Sequence, residues 1–166
     1  MNDFKGLPLS VEFITGRVLL TDNELLYGYS CKWIDERASI AIALSQYERG
    51  CATRITEKIA LLLDSERFKI GDMAHSLSRD GSVDAGVERV WLYLFLAWLY
   101  EADDSPQSFE IVDEIYADFG YPEAIEGFVS YMPSPPGRAG GPSGMDERWR
   151  LFVDSEDKYF RDRRLD

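Results

Sequence analysis

VWLYLFLAWLY, Val90–Tyr100, is a run of eleven apolar and aromatic residues, and its reading decides the fold. A strand buried on both faces can also be apolar throughout, but this run does not alternate. Leu92, Leu94, Leu96, Ala97 and Leu99 favour helix, and so does its length. A helix with no polar face is buried on all sides. The run therefore predicts a central helix from about Asp84 to Asp103. A membrane helix needs about 20 such residues, so the run is too short to span a bilayer.

Working outward, the chain reads as helix after helix. Thr21-Asp22-Asn23-Glu24 is a capping box, with Leu25, Leu26, Tyr29 and Trp33 following at helical spacing. Asp35 caps the next helix, whose inward face is expected at Ile40, Ala41, Leu44 and Tyr47 and whose end is expected near Gly50. Ile55, Ile59, Leu62 and Leu63 predict a third stripe. Phe68, Met73 and Leu77 predict a fourth, interrupted by Gly71. Asp80-Gly81-Ser82 is a turn. Downstream, Ser105-Pro106 is a cap followed by proline at the first helical position. Ile111, Val112, Ile115, Tyr116 and Phe119 then form one face, and Gly120 is the expected left-handed terminator. Pro122 begins a short helix with Ile125, Phe128 and Val129 inward, stopped at Pro133. Pro133–Gly144, four prolines and four glycines in twelve residues, predicts a loop. A last helix, about Met145 to Arg163, turns Trp149, Phe152, Val153 and Phe160 inward. The expected fold is all-α: one domain over residues 1–166, a helical bundle of about seven or eight helices around the central one.

Composition removes several functions. Two cysteines, Cys31 and Cys51, cannot make a disulfide scaffold, and both are expected to be buried thiols in a reducing, cytoplasmic compartment. His75 is the single histidine, so a Ser-His-Asp or Cys-His site would have to be built on it. Zinc sites built from several His and Cys are nearly excluded, and no Gly-rich phosphate loop occurs. The expectation is a protein that is no enzyme and needs no cofactor and no metal. A net charge of -12 makes nucleic acid and anionic membrane poor partners and a basic protein a better one.

The charge is concentrated. Residues 90–137 hold nine acids and no Lys, Arg or His, while residues 138–166 hold seven acids and seven bases. Glu110, Glu114 and Asp118 follow at i, i+4 and i+8, with Asp113 beside them. This ridge lies roughly 150° around the helix from the apolar face. Like charges at that spacing destabilise an isolated helix by a few tenths of a kcal/mol per pair. The ridge reads as a solvated face, a docking surface for a cationic partner, or a carboxylate metal site. Arg161, Arg163 and Arg164 form a basic tail that suits a helix C-terminus.

The stretch WLYLFLAWLYEADDSPQSFEIVDEIYADFGYPEAIEGFVSYMP resembles a family of small bacterial proteins known as a domain of unknown function. EIYADFGYPEAI and YMP are its specific strings. The resemblance covers about Ser10–Pro133, after which Ser134–Gly144 reads as an insertion. It implies an all-helical domain with no catalytic motif. Such proteins also resemble the small acidic immunity factors of polymorphic toxin and contact-dependent inhibition systems. On that reading, the chain neutralises a cognate toxin domain, itself basic, by covering it. The residues expected to bind are Glu101, Asp103, Asp104, Glu110, Asp113, Glu114, Asp118, Glu123 and Glu126, with Tyr121 and Tyr131 as aromatic anchors. The alternative is a non-catalytic helical interaction or regulatory module unrelated to toxins.

Overall fold

The computed structural model describes residues 6–79, 86–102 and 107–165. Among them there is no strand, and the all-α expectation holds. The α-helices are α1 (Val11–Thr15), α2 (Asp22–Ser30), α3 (Glu36–Glu48), α4 (Arg54–Ala60), α5 (Lys69–Arg79), α6 (Val87–Ala102), α7 (Gln107–Asp118) and α8 (Gly141–Asp162). Short 3-10 turns cover Asp64–Glu66 and Glu123–Phe128. The turn expected at Asp80-Gly81-Ser82 and the cap expected at Ser105-Pro106 lie outside the described residues, as do both expected ends of the central helix. The chain divides into two compact units. The first is Pro8–Trp91 with the residues from Phe160 onward; the second is Leu92–Tyr159 with Gly6 and Leu7.

In the first unit α4 packs on α3, α5 on α2 and α1 on α3. The capping box forms as expected: the Glu24 amide donates to Thr21 Oγ1 (3.2 Å), and Glu24 Oε2 accepts from the Thr21 amide (2.9 Å). Asp35 caps α3 through the Ala38 amide (2.7 Å). Asp22 does what spacing could not reveal. Its carboxylate reaches across to the start of α4, accepting from the Thr56 amide (2.8 Å) and from both the Thr53 and Thr56 hydroxyls. A carboxylate there satisfies orphan amides and the helix dipole together.

The inward face of α3 is Ser39, Ile42, Ala43 and Gln46, whereas Leu44 and Tyr47, expected inside, are exposed. Polarity alone misplaced the face because its two polar members are satisfied internally. Ser39 Oγ donates to the Asp35 carbonyl (2.7 Å), and the Gln46 amide holds both Leu20 N (2.8 Å) and Leu20 O (3.0 Å). The third and fourth stripes also need correction. Ile59 and Ile70 are buried, but Leu63 is 67% and Phe68 62% exposed, because the 3-10 turn at Asp64–Glu66 interrupts the helical register. Cys31 and Cys51, expected buried, are half-buried.

Three helices end alike. The amides of Trp33, Cys51 and Tyr121 reach back to the carbonyls of Gly28 (3.0 Å), Gln46 (2.8 Å) and Tyr116 (2.8 Å), the signature of a left-handed C-terminal cap. Gly50 (φ 69°) and Gly120 (φ 73°) supply the left-handed residue for α3 and α7, but Lys32 (φ 61°) supplies it for α2. That conformation costs an L residue roughly 1–2 kcal/mol.

Trp91 through Ala97 and Leu99 are buried, as the central-helix reading requires, although Trp98 and Tyr100 are only half-buried. In the first unit Trp91 Nε1 donates to the Glu24 carbonyl (2.9 Å). A Cβ on Gly28 would stand 2.0 Å from the Trp91 ring, so α2 can approach only through a glycine. Arg163 belongs to the basic tail expected to suit a helix C-terminus. It is instead clamped on Glu24 by two bonds, Nη1 to Oε1 (2.7 Å) and Nη2 to Oε2 (2.9 Å), and Nη2 also donates to the Leu19 carbonyl. Its guanidinium lies 4.8 Å from the Phe160 ring centre. Glu24, a cap residue, is thereby only 5% exposed.

In the second unit Trp149 is the hub. It stacks on Phe128 (5.9 Å, 4°), meets Tyr100 and Phe109 edge-on or tilted, and donates Nε1 to the Leu96 carbonyl (3.2 Å). The Pro/Gly-rich segment does not stay a loop to Gly144. α8 starts at Gly141, since Pro142 suits a first helical turn. Gly144 is buried there, and a Cβ would stand 2.2 Å from the Ala139 carbonyl oxygen. Arg148 fixes the segment by donating Nε to the Gly127 carbonyl and Nη1 to the Ala139 carbonyl (2.8 Å).

Candidate functional site: an acidic face with tyrosines

α7 carries its apolar stripe inward: Val112, Ile115 and Tyr116 are buried. Past its end, Gly120 and Tyr121 (φ 63°) are both left-handed. A bulky residue in that region is unusual and is held only by surrounding structure. Here it presents the Tyr121 ring to solvent, 62% exposed. Tyr131, 59% exposed, comes from beyond the 3-10 turn. Both rings lie against the buried Tyr116 ring, Tyr121 edge-on at 5.2 Å and Tyr131 tilted at 6.1 Å. Edge and tilted contacts of this kind suit the ring quadrupole and add about 0.5–1.5 kcal/mol to burial.

Two of the expected binding acids build this platform. Asp113 accepts from the Ser130 amide (2.8 Å) and the Ser130 hydroxyl, which fixes the backbone just before Tyr131. Glu126 accepts from the Tyr116 hydroxyl (3.2 Å). Burial, then that bond and the charge behind it, push the Tyr116 hydroxyl above its ordinary range. Burial and then the Asp113 charge raise Tyr131. Tyr116 and Tyr131 are therefore neutral at pH 7.

Of the other expected residues, Glu110 and Asp118 are exposed along α7, Glu114 is half-buried, and Glu123 is exposed on the 3-10 turn. Glu101 is exposed near the end of α6. Asp103 and Asp104 lie outside the described residues. The structure thus gathers Asp113, Tyr121, Glu126 and Tyr131 around one buried ring, with Glu110, Glu114 and Asp118 following the helix that carries it. Helical spacing places Tyr116 in the core and gives Ser130 no role, yet the two tie the face together. The available signal was the five-residue spacing from Tyr116 to Tyr121 across a terminal glycine.

Among the described residues, no group of three or more His, Cys, Asp or Glu side chains is placed to hold a metal ion, and no helix is long and apolar enough to cross a membrane. His75 is exposed on α5.

An all-α chain with an acidic, aromatic-bearing face is what fold and surface define. Residues 11–157 match the family described as an uncharacterized protein conserved in bacteria (DUF2247), and the chain belongs to it. The match continues beyond Pro133, where the resemblance was expected to end, through the Pro/Gly-rich segment and into α8. No curated protein and no solved structure matches the chain.

Proposed function

We propose that this chain is an immunity protein: a non-catalytic module that binds a basic toxin domain through the α7 face and blocks it. The observation that carries the reading is the pair of exposed rings, Tyr121 and Tyr131, seated on Tyr116 within a segment of nine acids and no bases. Two rigid aromatics supply contact area at low entropic cost, and the carboxylates around them steer a cationic partner and speed its encounter. Inhibition of this kind asks no chemistry of the inhibitor.

The test is co-expression with the product of the adjacent gene, followed by pull-down and association kinetics at several salt concentrations. Tyr121→Asn keeps a side chain that tolerates the left-handed backbone and removes the ring. It should raise the dissociation rate at least tenfold, because aromatic anchors cost about 2 kcal/mol or more when lost. Glu110→Lys with Glu123→Lys should slow association and flatten its salt dependence. A partner that binds both variants as well as the parent removes this face from the interface. A bound partner that is not a toxin supports the alternative of a general interaction module.

A further inference from the structure

The first unit holds a cleft of about 670 Å³ lined by Tyr29, Ser30, Lys32, Ile34, Asp35, Glu36, Arg37 and Arg67. This size is ordinary for a small-molecule site. The charge of the lining runs against that of the chain. Three cations face two carboxylates, in a protein with 30 acids and 18 bases. One of those carboxylates, Asp35, is already engaged in capping α3. Among the described residues, neither Lys32 nor Arg37 has an acid within ion-pair distance. Arg67 meets Asp64 only through Nε (3.2 Å), so both of its terminal nitrogens are available. The first amides of α3, Glu36 and Arg37, have no acceptor there either, as the start of a helix leaves them. Lys32 stands where the equivalent ends of α3 and α7 place glycine. The chain keeps a strained cation at a position where glycine would relax the backbone.

We infer that this cleft binds a small phosphorylated molecule that also carries hydroxyl groups. Lys32, Arg37 and Arg67 take the phosphate, with the positive end of the α3 dipole behind it. The Glu36 carboxylate, which has no donor among the described residues, accepts from a ligand hydroxyl. Tyr29 lines the same cleft, its hydroxyl pushed up by burial and by the Glu36 charge. It remains a neutral donor and acceptor at pH 7. The inference is independent of the toxin-binding reading: it uses no residue of the α7 face, and its readout needs no protein partner.

The experiment is calorimetric titration of the full chain with glucose 6-phosphate, inorganic phosphate and glucose as separate probes. Glucose 6-phosphate should bind at least tenfold more tightly than either fragment. Arg37→Ala and Arg67→Ala should each weaken it about tenfold, the loss expected for one charge-assisted hydrogen bond. Lys32→Gly should weaken it similarly while raising the melting temperature by about 2–4 °C. That combination cannot come from a damaged fold. Absence of binding by all three probes, or a sugar phosphate that binds the Arg37→Ala, Arg67→Ala double variant as it binds the parent, overturns the site. Inorganic phosphate binding as tightly as the sugar phosphate overturns the hydroxyl-bearing ligand, and glucose binding as tightly overturns the anion assignment.

Discussion

Glu24 and Glu110 are both glutamates in the first turn of a helix, and their surroundings differ entirely. Glu24 is buried, caps its own helix and has both oxygens claimed by Arg163. Nearby Asp22 caps a second helix. Glu110 is exposed in a segment with no base. In the first unit acidic side chains hold backbone together. In the second unit, Asp113 of α7 and Glu126 of the following 3-10 turn brace two tyrosines while Glu110 stays in water. Net charge says nothing of this division; it is set by which acids the fold surrounds with donors.

The comparison is broken most severely by removing the answering charge. Arg163→Met leaves Glu24 buried without its cation and should cost about 3–5 kcal/mol. At roughly 2–4 °C per kcal/mol for a chain of this size, the melting temperature should fall by about 6–20 °C. A shift of only a degree or two in calorimetry would mean that Glu24 is effectively solvated. Gly28→Ala comes next, at about 1–3 kcal/mol, because its Cβ would collide with the Trp91 ring. Chemical denaturation measures it, and a neutral result would show that α2 can slide.

Smaller again is a pH effect that belongs to the α7 face. Tyr116 and Tyr131 have raised pKa values in the folded state. Between the unfolded value of 10.0 and the higher folded values, the folded chain holds more protons than the unfolded one. Stability from these groups is therefore complete below pH 10 and is lost as pH rises through the folded values. Denaturant midpoints from pH 8 to 11 should fall, and Tyr116→Phe should make the fall shallower. The smallest effect expected is that of Glu110→Lys, within about 0.5 kcal/mol. A large loss there would make the exposed acids structural and erase the contrast with Glu24.

Much of the fold was legible because its signals are local. The Thr21–Glu24 box, the Asp35 cap, the terminal glycines at 50 and 120 and the apolar run of α6 each depend on a few adjacent residues. What was illegible depends on partners far along the chain. Spacing cannot say that Gln46 and Ser39 are satisfied inside, so the face of α3 was misplaced. Nor can it say that Arg163 meets Glu24, that Asp22 caps α4, or that Pro142 and Gly144 begin a helix. For the candidate site, periodicity isolated the α7 ridge, and the immunity-protein reading that followed from the resemblance added both exposed tyrosines. It could not separate Asp113 and Glu126, which brace the platform, from Glu110, which braces nothing.

The clamp on Glu24 also sets an order of events during synthesis. Its two residues are 139 positions apart. At the usual elongation rate of about 5–20 residues per second, roughly 7–28 s separate the emergence of the carboxylate from that of its guanidinium. Through that interval α2 can form its capping box, but the Glu24 carboxylate must stay hydrated, so α2 cannot bury it. The first unit, although read first, is therefore finished last, after every residue of the second has been made. A ribosome stalled within α8 would hold a nascent chain with an open N-terminal half, and the emergence of Arg163 is the step that closes it.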